Sequence, residues 1–113
     1  MKREFEDQKE WKLSMDLATN VYKQMVQLPI EEYEDYYSIS NQIKRTAISI
    51  PSKIAAGYSL GGEYLLENLS IARGLLARLE TLLILAANVK VLEEKKMELL
   101  LKEIESVREE IRI

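Results

Sequence analysis

Glu31, Glu32, Glu34 and Asp35 place four carboxylates within five residues, the densest set of hard-cation ligands in this sequence. A calcium loop needs spaced oxygen ligands around a central glycine, and neither the spacing nor the glycine is here. The run reads instead as a solvated turn whose acids suit the positive end of the next helix. Glu63 and Glu67 are four residues apart and share a helix face. No histidine stands with them to build a carboxylate–histidine metal site, because the 113-residue chain has none. It has no cysteine either, which removes thiolate nucleophiles, disulfides and cysteine–metal sites together. Serine–histidine triads, zinc hydrolases and Glu-x-x-His di-iron bundles therefore cannot be assembled. Gly61-Gly62-Glu63 lacks the Lys-Ser/Thr that a phosphate loop requires. The expectation is a protein with no catalytic site, no metal, no cofactor and no small-molecule substrate.

The cations are the other functional candidates. Lys44, Arg45 and Lys53 fall in one helical stretch and Arg73 and Arg78 in the next, where they could line a shared surface for phosphates. Repeated around an assembly, such a surface would bind nucleic acid with an affinity that falls steeply with salt. Against this, the net charge is −3, whereas nucleic-acid-binding domains are usually basic overall. Glu63, Glu67 and Glu80 occupy the same two stretches, so Arg45 and Glu80 could simply be a structural pair. Ion pairs and solvated faces are the favoured reading, and a nucleic-acid patch is the alternative. Tyr33, Tyr36, Tyr37, Tyr58 and Tyr64 gather at the ends of these stretches. Rings buried at a subunit contact are favoured over rings that stack bases.

Apolar spacing supplies the elements that hold these groups. A first helix is expected from Phe5 or Asp7 to Leu28, stopped by Pro29. Trp11, Met15, Ala18, Tyr22 and Met25 or Val26 make one buried line, and Leu13, Leu17, Val21 and Leu28 make a second. At about 100° per residue the two lines cover roughly 220° of the helix, more than one neighbour can cover. A second helix is expected over 35–58, with Ile39, Ile43, Ala47, Ile50 and Ile54 inward. Its register continues across Pro51, which predicts a kink, with two short helices broken near Ile50 as the alternative. Gly57 and Gly61-Gly62 bracket the next break, with Ser59 as a candidate N-cap.

A third helix over 62–88 turns Leu65, Leu69, Ala72, Leu76, Leu79, Leu83 and Ala86 to one face, while Leu75, Leu82 and Leu85 widen it. A fourth over 93–113 points Met97, Leu100, Ile104, Val107 and Ile111 inward. The expected fold is all-α: one domain over residues 1–113, an antiparallel up-down-up-down four-helix bundle. The surplus apolar width predicts a homo-oligomer, with Leu13, Leu17, Val21, Leu75 and Leu82 as the candidate interface. The N-terminus has no apolar stretch of signal-peptide type, and the run Leu82–Ala87 is far below the ~20 residues needed to span a bilayer. A cytoplasmic address and no membrane partner follow as expectations.

Two stretches carry a resemblance. Residues 42–57, from Gln42 through Ile50-Pro51 to Gly57, and residues 69–83, with Gly74 and Leu79-Glu80-Thr81, resemble the four helix bundle protein family. Its members are encoded in intervening sequences of large-subunit ribosomal RNA genes and are sometimes labelled S23 ribosomal protein. Trp11 and the Leu28-Pro29…Glu32-Tyr33 segment match further positions, so the resemblance covers nearly all of the chain up to Leu92. The sequence keeps Arg45, Ala47, Ser49, Ile50, Pro51, Ile54, Ala55, Gly57, Gly74, Leu79 and Glu80. It departs from the family wording at Lys53, Ala56, Leu75 and Arg78, positions that are mostly polar in the family. The resemblance implies an antiparallel bundle, commonly assembled as a ring-like homopentamer. It also implies kinship with the accessory protein of diversity-generating retroelements, which works with a reverse transcriptase and nucleic acid. For most members it brings no established activity.

Overall fold

A computed structural model describes residues 3–27 and 34–113, without the side chains of 26–27 and 34–38. Four helices are present: α1 Lys9–Gln27, α2 Glu34–Leu60, α3 Glu63–Asn88 and α4 Glu94–Glu110. The described residues contain no strand. The expected stop at Leu28-Pro29, the acidic run from Glu31 and the ring of Tyr33 lie outside the described residues, as do the side chains of Val26, Glu34, Asp35, Tyr36 and Tyr37.

Most of each expected line is buried, but on α1 the burial falls on Leu17, Ala18, Val21 and Met25, while Tyr22 of the expected line is 42% exposed and Trp11 and Met15 are half-buried. Leu17 and Val21 of α1, Ile43, Ile50 and Ile54 of α2, Leu76, Leu79 and Leu83 of α3, and Ile104 and Val107 of α4 are all fully enclosed. Burying one such side chain stabilises by about 1.5–3 kcal/mol relative to leaving it in water. α2 packs against α1 and α3, and α4 closes the other side against the same two helices. Polar links tie the seams. The Lys9 ammonium lies 3.4 Å from the Glu110 carboxylate, and Asn20 Nδ2 donates to Glu103 Oε1.

The ends differ from expectation in instructive ways. α1 begins at Lys9, later than Phe5 or Asp7, because residues 4–7 form a turn in which the Glu6 amide bonds the Arg3 carbonyl. The Phe5 ring instead folds back onto Trp11, with ring centroids 5.0 Å apart. α2 runs unbroken from Glu34 to Leu60 across Pro51, so the alternative of two short helices is not adopted. The Pro51 ring is fully buried, and its packing offsets the backbone hydrogen bond that proline cannot make. Ser59 does not cap α3, since it lies within α2. The reversal is made by Gly61 (φ 71°) and Gly62 (φ 56°), in the left-handed region where a side chain is strained. α4 ends at Glu110 and not at Ile113, although Ile111 beyond it is still buried.

Lys90 also adopts a left-handed conformation, φ 63°. It sits just past α3, where the Val91 amide reaches back to the Ala86 carbonyl at 2.8 Å, the hydrogen bond that closes a Schellman turn. Glycine is the usual residue there. Lys90→Gly is therefore expected to raise stability by about 1 kcal/mol, read as a later urea midpoint with an unchanged slope.

Candidate interaction surfaces

The cations do not form one patch. Lys44 and Lys53 are nine residues apart, and at about 100° per residue this places them on opposite sides of α2. Lys44 lies on the α1 side, its ammonium 5.9 Å from the centre of the Tyr22 ring. Arg45 points outward and is exposed, and Lys53 is exposed as well. Arg78 of α3 leans toward α2, its Nε donating to Thr46 Oγ1 at 3.3 Å. Arg73, five residues earlier, is about 140° away on α3. By helical angle Lys53 falls on the side of α2 that carries Thr46, opposite Lys44, and Arg45 lies between them. None of Arg45, Lys53, Arg73 and Arg78 has an ion pair among the described residues.

Glu80 belongs to a different pair from the one the spacing suggested. Its carboxylate accepts from the Arg108 guanidinium of α4, which also binds Glu105 one turn earlier. The hydrogen bond that Arg108 donates to Glu80 is the largest cause of its raised pKa. No local pattern marks this pair, since its partners lie 28 residues apart on different helices.

The candidate interface residues divide by burial. Leu17 and Val21 have no exposed surface, and Leu82 has 9%. They fill the protomer's own interior, so the wide apolar face of α1 is explained by two neighbours, α2 and α4, inside one chain. Leu13 and Leu75 are half-buried against that core. The apolar surface left in water is elsewhere: on α3 it is Tyr64, Leu66, Ile71, Ile84 and Leu85, each 41–59% exposed, with Val89 just beyond its end at 52%. Leu60, beside the Gly61-Gly62 turn, is 64% exposed.

Two half-buried polar links complete the picture. The Tyr58 hydroxyl donates to Glu10 Oε2 at 2.7 Å. Burial, then that hydrogen bond and the carboxylate charge, push the Tyr58 pKa from 10.0 up to about 12. The Tyr58 hydroxyl thereby has a partner inside the protomer. A folded-state pKa above the unfolded one contributes stability that is complete below pH 10.0 and is lost as pH rises toward about 12. Unfolding titrations from pH 9 upward should show that loss, and Tyr58→Phe should flatten it. On the α1–α4 seam, burial is the largest cause of a raised Glu103 pKa; the Asn20 hydrogen bond opposes it and the Asp16 charge adds to it.

No group of three or more His, Cys, Asp or Glu residues is placed to hold a metal among the described residues. Among them no helix is long and apolar enough to cross a membrane. What remains is a four-helix all-α protein whose distinguishing surface is apolar and carried largely by α3. The chain belongs to the 23S rRNA-intervening sequence protein family, whose model matches residues 6–112. The match extends past Leu92, where the recognisable wording ended, through the whole of α4. No curated protein matches the chain.

Proposed function

We propose that this chain is a non-enzymatic interaction protein that assembles with copies of itself. Its four helices form one up-down-up-down domain, with α2 bent at Pro51. Contacts between opposite ends support the alternation: Lys9 at the start of α1 meets Glu110 at the end of α4, and Tyr58 near the end of α2 bonds Glu10. The bend is supported by the hydroxyls of Ser49 and Ser52, which flank Pro51 and bond the carbonyls four residues back. Such back-bonds bend helices.

The observation that carries the assembly reading is the line of large apolar side chains left in water on α3. A monomer that exposes this many large apolar side chains on one helix is a poor solution in water, and a second protein surface covers them best. A closed ring of five copies, as the resemblance implies, is the favoured assembly, and the cytoplasm the favoured compartment. Size-exclusion chromatography with in-line light scattering tests the reading. A particle of several times the 13.1 kDa chain mass supports it, and a single-chain mass at every concentration overturns it.

One observation favours a second reading, a nucleic-acid-binding accessory protein whose partners are RNA, DNA or a nucleic-acid enzyme. Arg45, Lys53 and Arg78 are exposed without ion pairs among the described residues. On this reading single-stranded RNA co-elutes at low salt and is released at moderate salt. Replacing Arg45, Lys53 and Arg78 together with alanine weakens that binding, whereas Lys44→Ala, on the opposite side of α2, changes it little. Binding that survives the triple replacement rejects the patch.

A further inference from the structure

The outermost line of α3, opposite its buried face, reads Glu67, Ile71, Gly74, Arg78, with steps of four, three and four residues. All four are exposed, Ile71 at 41%. A two-fold axis crossing the helix midway between Ile71 and Gly74 exchanges Glu67 with Arg78 and Ile71 with Gly74, because both pairs are centred on one point. We infer that α3 makes an antiparallel contact with α3 of a second copy, in which Glu67 and Arg78 pair twice and each Ile71 lies against the bare backbone at Gly74. The inference rests on the self-assembly reading and assigns the surface and symmetry of one contact within it.

Three features of the line point to this occupant. Gly74 lies in the middle of a 26-residue helix, where glycine costs about 1 kcal/mol relative to alanine. Nothing in the protomer needs it, since a Cβ built there meets no atom within 4 Å. By contrast, a Cβ on Gly57 would meet the Asn68 Cβ at 3.1 Å, so that glycine is explained by the α2–α3 contact. A missing side chain on an exposed helix face suits a close helix crossing, and the adjacent Ile71 supplies a side chain of the size to fill it.

Charge then selects the direction. Parallel pairing would set Glu67 on Glu67 and Arg78 on Arg78, whereas antiparallel pairing sets opposite charges together twice. The Arg78 Nε bond to Thr46 engages one N–H of the guanidinium and leaves its terminal N–H groups for a carboxylate. The same register places Tyr64, 50% exposed, opposite Thr81. It also carries Leu85, 44% exposed, past the start of the partner's helix toward its Leu60. Exposed ion pairs are individually weak, so the apolar side chains supply the affinity and the charges set the register. A contact of this kind joins copies in even numbers, two on its own or ten where it joins two five-membered rings.

Charge reversal followed by sedimentation velocity over a dilution series tests the contact. Glu67→Arg and Arg78→Glu should each raise the dissociation constant of this step about tenfold, through the loss of two pairs and the gain of two like-charge contacts. The double reversal should restore it. Gly74→Tyr should abolish the step without loss of helix content, and the dispersed chain should unfold no earlier than the wild type, because the added side chain meets nothing in the protomer and tyrosine is the better helix former. If both single reversals leave association intact in a chain that still assembles, this contact is wrong and self-assembly uses another surface. If the double reversal stays dissociated, the antiparallel register is wrong. A wild-type chain that is monomeric throughout removes both this inference and the reading it rests on.

Discussion

Replacing Leu76 with alanine is expected to lower the unfolding free energy by about 3 kcal/mol, within the range for emptying a rigid core site. Leu76 is fully enclosed at the middle of α3, a helix that both α2 and α4 contact. Three methylene-sized groups would leave a site whose walls come from different helices. No single helix can shift to fill the gap without disturbing contacts elsewhere. The control is Leu66→Ala on the same helix, where the side chain is 59% exposed and the change should fall within about 0.5 kcal/mol. Urea unfolding of both variants under dispersing conditions measures the difference. Equal midpoints would mean that α3 does not occupy the centre of the core.

The second large effect separates the assembly surface from the core. Replacing Ile71 and Leu85 together with glutamate should lower the mass of the assembly by breaking the α3 contact, while leaving its helical circular dichroism unchanged. Both side chains already stand about two-fifths in water, so a carboxylate at either position keeps its hydration in the free protomer. Across an assembled face the same carboxylates would be desolvated without partners, which costs several kcal/mol in total. Leu17→Glu is the opposite case: that side chain has no exposed surface, and a charge there should remove the helical signal itself. A double variant that loses helix instead of mass would place Ile71 and Leu85 in the interior. A double variant that keeps the wild-type mass would clear α3 of any role in assembly.

The apolar interior was legible in the sequence because a 3.6-residue period is a local signal. The inward lines through Ile43, Ala47, Ile50 and Ile54 and through Leu69, Ala72, Leu76, Leu79 and Leu83 are all buried as the spacing indicated. What the period cannot state is how many neighbours a wide face has. Leu17 and Val21 were read as surplus, yet α2 and α4 together cover α1, and the surplus vanished inside one chain. The surface that does remain, at Ile71 and Leu85, had been only partly noted, since an apolar side chain looks alike in sequence whether it faces a helix or water.

Polar partners across helices were the least legible part. Arg45 and Glu80 were matched by type, but Glu80 is held by Arg108, and the tie between Glu10 and Tyr58 spans 48 residues. Such choices depend on how helices rotate against one another, which no short window of sequence records. The cations divide around α2 for a related reason: Lys44 and Lys53 are close in sequence but half a turn apart on the helix. Turn chemistry held an intermediate place: the glycine pair marked the α2–α3 reversal, whereas the left-handed Lys90 could not be read from a lysine.

The central claim is that the chain assembles with itself through the apolar outer surface of α3, and sedimentation equilibrium on the full-length chain, from sub-micromolar to high micromolar concentration, tests it most directly. The account predicts a mass several times 13.1 kDa at the upper end, declining toward the single-chain value on dilution and lowered by introducing the Ile71 and Leu85 glutamates. A mass that stays at one chain across the whole range would contradict it.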